Sequence, residues 1–150
     1  MARCDLLDSS KYMWASVQTV RDCAKHCSFC SVWRTDGQRP QQRVSDPVIE
    51  EVVELRRRAF RFIEVAEDNF YPVSLTDIQL PERQSNDTRV ATLKAIRAQG
   101  FELMKRLAEL PQGMVFFTQI TMEAAEDSKF LEAMRRANHG ARDITLGKRA

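Results

Sequence analysis

Cys23, Cys27 and Cys30 fall within the run Arg21-Asp22-Cys23-Ala24-Lys25-His26-Cys27-Ser28-Phe29-Cys30, a C-x3-C-x2-C spacing that can bring three thiolates onto one face of a single loop. Three soft ligands so close together read as a metal site, and thiolates suit zinc and iron–sulfur clusters alike. Structural zinc wants a closed set of four ligands, whereas an iron–sulfur cluster held by three cysteines keeps one iron open for a substrate or cofactor. The zinc alternative is a knuckle completed by His26 or Cys4, in a non-catalytic interaction module. Cys4 lies outside the motif and is otherwise a plain thiol.

Such a loop needs a scaffold to hold it. Residues Ala15 to Val20 form a short β-rich run that enters it. Asp46-Pro47 offers an N-cap followed by proline at the first helical position, so a helix is predicted from there. Val48, Ile49, Val52, Val53 and Leu55 follow helical spacing, with Glu50, Glu51 and Glu54 early and Arg56, Arg57 and Arg58 late, a polarity that complements the helix dipole. Phe60 to Ala66, broken only by Arg61 and Glu64, suits a buried parallel strand. The stretch from Phe70 to Asn86 contains Pro72 and Pro81 and reads as an inserted loop. Val90, Leu93, Ile96, Phe101, Met104 and Leu107 then keep helical spacing, with Gly100 as a weak point, up to a turn at Pro111-Gln112-Gly113. Met114 to Ile120 is the third predicted strand. A last helix, capped by Asp127, carries Phe130, Leu131 and Met134 to about Asn138. The order βα, βα, βα predicts an α/β fold with a parallel sheet.

Composition narrows the function classes. A chain of 150 residues, 43% hydrophobic and 29% charged, can bury one core. With 23 basic residues against 21 acidic ones, the net charge of +2 creates no field that argues for nucleic acid or an anionic membrane. There is no long apolar run for a membrane span, and Met1 to Asp8 contain no apolar signal-peptide core. The clustered cysteines are therefore expected in a reducing cytoplasm, as metal ligands or catalytic groups rather than disulfides.

With Phe29 just before its last cysteine, the loop resembles the cluster-binding loop of the radical S-adenosylmethionine (radical SAM) enzymes. Its surroundings, Gln18-Thr19-Val20, Ser31-Val32-Trp33 and Glu67-Asp68-Asn69-Phe70, are most similar to members that carry a cobalamin-binding domain ahead of the radical domain. The resemblance implies an enzyme in which Cys23, Cys27 and Cys30 hold a [4Fe–4S] cluster and SAM chelates the open iron. Reduction by an external electron donor then cleaves SAM to methionine and a 5′-deoxyadenosyl radical. It implies that Phe29 lies beside the adenine and that Glu67, Asp68 and Asn69 meet the SAM amino group. There Ala66-Glu67-Asp68-Asn69 departs from the glycine-rich motif that often occupies this place.

Read from the residues alone, Glu67, Asp68 and Asn69 follow the second strand, the end at which barrel enzymes place ligand-binding groups, and a carboxylate there suits a charge-assisted bond to an ammonium. The alternative is that Asp68 or Asn69 caps a turn. Thr118, Gln119 and Thr121 end the third strand on the same face, for a ribose or carboxylate contact or, at Thr121, a helix cap. Arg34, Arg39 and Arg43 read as a solvated basic connection, the alternative being contact with an anionic substrate, and His26 as a polar loop residue.

Family members resemble an incomplete barrel of βα units, and this chain is expected to supply about three of them, a partial parallel (βα) barrel. Residues 1–15 are then an N-terminal linker, 16–138 the partial core and 139–150 a polar, basic tail where a further apolar strand is expected. On that reading the chain is a fragment, inactive alone and inclined to self-associate through an open edge. Any use of cobalamin belongs to a longer parent, and the small-molecule substrate is not specified.

Overall fold

The computed structural model describes residues 6, 8–23, 25, 27–35, 37 and 40–138, apart from the Trp33 side chain. Cys4, His26, Arg39 and the 139–150 tail lie outside the described residues. In chain order the elements are β1 (Trp14–Val17), β2 (Val20–Arg21), α1 (Val32–Thr35), β3 (Gln41–Gln42), α2 (Ser45–Arg57), β4 (Phe62–Val65), α3 (Leu75–Arg83), α4 (Asp87–Ala108), β5 (Val115–Thr118) and α5 (Ser128–Arg136). A 3-10 turn over Met122–Glu126 precedes α5.

The strands β1, β4 and β5 form one sheet in that order, parallel throughout, with Ala15 opposite Ile63 and Ile63 opposite Phe116. Alternation decides what each face does. Ala15, Val17, Ile63, Val65 and Phe116 point to one side and are buried. They share a core with Val48, Val52 and Leu55 of α2, Leu103, Met104 and Leu107 of α4, and Phe130 and Met134 of α5. The opposite face carries Trp14, Phe62 and Phe117, all exposed, together with Ser16 and Glu64. On it Trp14 meets Phe117 edge-to-face at 6.3 Å, and the Ser16 hydroxyl donates to Glu64 at 2.6 Å. Within the run Phe60 to Ala66 only Phe62–Val65 is strand, and it is half-buried rather than buried on both sides, because helices cover one face only.

Several predicted boundaries move for local reasons. The run expected over Ala15 to Val20 breaks after Val17, since the amides of Thr19 and Val20 turn to a carboxylate of another segment; β2 then pairs antiparallel with β3. Asp46 does not cap α2: the helix begins at Ser45, two residues before Pro47, Val44 is its N-cap without a side-chain bond, and the Asp46 carboxylate accepts from Arg106 of α4 at 2.6 Å. The stretch Phe70 to Asn86 is not a loop. It contains α3, whose start is fixed by a capping box in which the Ser74 hydroxyl accepts from the Asp77 amide and the Asp77 carboxylate accepts from the Ser74 amide. Pro81 is tolerated near the helix end, with its ring buried. Asp127 caps α5 as expected, accepting from the Phe130 amide at 3.1 Å, and also takes the Tyr71 hydroxyl at 2.8 Å and the Arg97 guanidinium. This buried carboxylate fastens the chain after β4 to both α4 and α5.

Gly100 does not interrupt α4, which runs unbroken for 22 residues. A Cβ at position 100 would meet nothing within 4 Å. Gly100→Ala is therefore expected to stabilise the protein by about 0.5–1 kcal/mol, the helix-interior penalty of glycine. An unchanged or lower thermal midpoint would place an unseen restraint at that turn.

Candidate functional site

All three strands of the main sheet end on the same side, and each hands over to a segment rich in polar groups. From β1 the chain passes through Gln18 and Thr19 into the cysteine loop. Asp22, in a left-handed conformation (φ 73°) with its side chain buried, turns it toward Cys23. A Cβ on Gly37 (φ 125°) would lie 3.0 Å from the Asp22 carboxylate, so the returning chain packs on Asp22 through a glycine. Cys23, Cys27 and Cys30 are half-buried thiols outside any disulfide, and Cys27 and Cys30 are drawn together by a turn in which the Cys30 amide donates to the Cys27 carbonyl at 3.1 Å. Among the described residues, no three Cys, His, Asp or Glu side chains are already gathered in a metal-holding arrangement. The donor set fits three-thiolate ligation of a cluster; the loop has to close on it, as metal binding commonly couples to local folding.

Phe29 is 91% exposed, an aromatic ring standing in solvent at the tip of this loop. Glu67, Asp68 and Asn69 have three different fates. The Glu67 carboxylate is buried: one oxygen accepts from the Thr19 amide and hydroxyl, each at 2.5 Å, and the other from the Val20 amide at 2.5 Å. Burial pushes this carboxyl up to about 7 against the pull of those donors, with the Asp68 charge adding to the rise. Asn69 is buried too. Its amide donates to the Tyr71 carbonyl at 2.8 Å, while its carbonyl oxygen accepts from the amides of Tyr71 and Thr121. Asn69 thereby joins the end of β4 to the end of β5. Asp68 alone of the three is exposed. It borders a cavity of about 510 Å³ at the ends of β4 and β5, lined also by Gln18, Glu64, Ala66, Phe117 and Gln119.

The other polar groups divide similarly. The Thr118 hydroxyl closes back on the Val65 carbonyl at 2.9 Å. Thr121 does not cap the following turn with its side chain, and its hydroxyl is buried without a partner. Arg43 is not a solvated group: it donates to the Gln18 carbonyl at 2.6 Å and pairs with Glu51 at 3.0 Å, while Arg34 is exposed. Sequence reasoning did not reach this bracing of residues 18–20 by Glu67, Gln42 and Arg43, nor the place of Ser16 and Glu64 on the open face. The period-2 alternation of β4 was the available signal for Glu64.

A fold of this kind occurs in TsrM, a radical SAM methyltransferase from Kitasatospora setae. Its structure with cobalamin and a [4Fe–4S] cluster bound matches this chain with a TM-score of 0.59 at 15% identity, over 89% of this chain and 21% of TsrM. The structure with tryptophan substrate and the SAM analogue aza-SAM matches with a TM-score of 0.56 at 15% identity, over 84% of this chain and 20% of TsrM. The chain shares its α/β fold with this part of TsrM. It spans about one-fifth of the length of TsrM. No protein-family model matches the sequence, and no curated protein does. Among the described residues, no helix is long and apolar enough to cross a membrane.

Proposed function

We propose that this chain is part of a radical SAM enzyme, holding a [4Fe–4S] cluster on Cys23, Cys27 and Cys30 and SAM beside it. The observation that carries the reading is that, in this fold, a three-thiol loop follows β1 at the same end of the parallel sheet where a polar cavity opens at the ends of β4 and β5. When bound and reduced by an external donor, the cluster supplies the electron that cleaves SAM to methionine and a 5′-deoxyadenosyl radical. The chain's own residues bind and orient. Cys23, Cys27 and Cys30 ligate; Glu67 and Asn69 fix the backbone around the cofactor, and Asp68 offers its carboxylate to the SAM ammonium. Phe29 covers the adenine, which accounts for an aromatic ring otherwise left in water. The open face bearing Trp14, Ser16, Phe62, Glu64 and Phe117 becomes the inner wall of a partial barrel, with a small-molecule substrate above it. Cobalamin, bound by the similar TsrM, is assigned to the parent enzyme and to no residue here. The reduced thiols suit a cytoplasmic setting.

Asp68 provides the test. Losing a charge-assisted bond to the ammonium is expected to weaken SAM binding by roughly 1.5–3 kcal/mol, tenfold or more, in Asp68→Ala. Iron content is expected to stay unchanged, because Asp68 bonds none of the described residues of the loop. SAM titration followed by the electron paramagnetic resonance (EPR) spectrum of the reduced cluster reads both; unchanged SAM affinity would remove Asp68 from the cofactor site.

A further inference from the structure

Lys25, between Cys23 and Cys27, reaches out of the cysteine loop to two carboxylates on different elements. Its ammonium lies 3.3 Å from Asp77 Oδ2 and 2.9 Å from Glu123 Oε2, with its side chain only 19% exposed. Asp77 is the capping-box residue that starts α3 after β4, and Glu123 belongs to the 3-10 turn that follows β5. The partners lie 52 and 98 residues away in sequence. One side chain therefore ties the loop that leaves β1 to the segments that leave the other two strands. We propose that Lys25 is the positioning residue of the cysteine loop, an ion-pair latch that seats the three thiols over the ends of the parallel strands.

Asp77 is affected by the pairing: burial pushes its carboxyl up, and bonds from Ser74 together with Lys25 hold it below its ordinary value. Removing a partly buried ammonium shared by two carboxylates costs more than breaking an exposed pair, because it leaves two negative groups without their partner. Such supporting groups typically change metal retention about 10–100-fold without touching the metal.

The seat of the loop does not depend on the cluster, so it is tested in metal-free reduced protein by the rates at which iodoacetamide alkylates Cys23, Cys27 and Cys30, resolved by mass spectrometry. Lys25→Met is expected to raise these rates about tenfold, the worth of a lost charge-assisted bond, with Lys25→Arg restoring most of the protection. Asp77→Asn with Glu123→Gln is expected to match Lys25→Met and to add little when combined with it. Should Lys25→Met fail to fold, Glu123→Gln alone, at a half-exposed partner, is expected to give an intermediate rate. The second arm rests on the proposed function: in reconstituted protein, Lys25→Met is expected to lose iron to a chelator about tenfold faster and to broaden the EPR spectrum of the reduced cluster. Wild-type alkylation rates in Lys25→Met, or fully additive effects of the three substitutions, would overturn the latch. A wild-type chain that takes up no iron would overturn the cluster reading and leave the alkylation result to decide the latch.

Discussion

Replacing Cys23, Cys27 or Cys30 singly by alanine is expected to strip most of the iron from anaerobically reconstituted protein. Each thiolate is one of three on a loop around which the described residues offer no ready substitute. Asp22 is buried beneath it, Lys25 is committed to Asp77 and Glu123, and no described acid or histidine converges with the thiols. Loss of a direct ligand should exceed the 10–100-fold cost of losing a mere support, so affinity is expected to fall more than about 100-fold. Cys4→Ala is expected to leave iron content as it was. Iron analysis of the four variants, paired with circular dichroism to confirm folding, decides the matter; equal iron in Cys27→Ala and wild type would remove Cys27 from the ligand set.

The second large effect is expected at Glu67. Glu67→Ala leaves the buried amides of Thr19 and Val20 and the Thr19 hydroxyl without their acceptor. At about 1–3 kcal/mol for each buried amide left unpaired, a loss of roughly 2–5 kcal/mol is expected in denaturant unfolding. Stability should also depend on pH. The Glu67 carboxyl is raised from 4.5 to about 7 on folding, so the folded chain holds this proton more tightly than the unfolded one. The resulting stabilisation is complete below the unfolded value and is lost as pH rises through about 7, a change on the order of 3 kcal/mol. Glu67→Gln, which cannot titrate, is expected to be less stable than wild type in acid and to show a flatter profile from about pH 5 to pH 8. Parallel profiles for the two proteins would show that Glu67 titrates no differently in the folded chain.

What the sequence revealed follows the strength of its local signals. The last helix was legible because Asp127 caps a run with a pronounced apolar face, and α4 because its apolar spacing survives Gly100. The cysteine spacing was legible without any fold. By contrast, α3 was hidden by Pro72 and Pro81, though the Ser74-x-x-Asp77 box marked its start. Strands of two residues, β2 and β3, are too short to show a period. The differing fates of Glu67, Asp68 and Asn69 were out of reach for another reason. Adjacent polar residues after a strand look alike in sequence, and only partners some fifty residues away decide which are buried and which face the cavity. The Lys25 latch is of the same long-range kind.

The most direct measurement is the metal itself, taken from the full chain purified without oxygen and reconstituted with iron and sulfide. The account predicts about four irons and four sulfides per chain and, after reduction, an EPR spectrum that changes on adding SAM, as expected for a cluster with one open iron. Stoichiometric zinc with no iron, or a cluster whose spectrum ignores SAM, would contradict it.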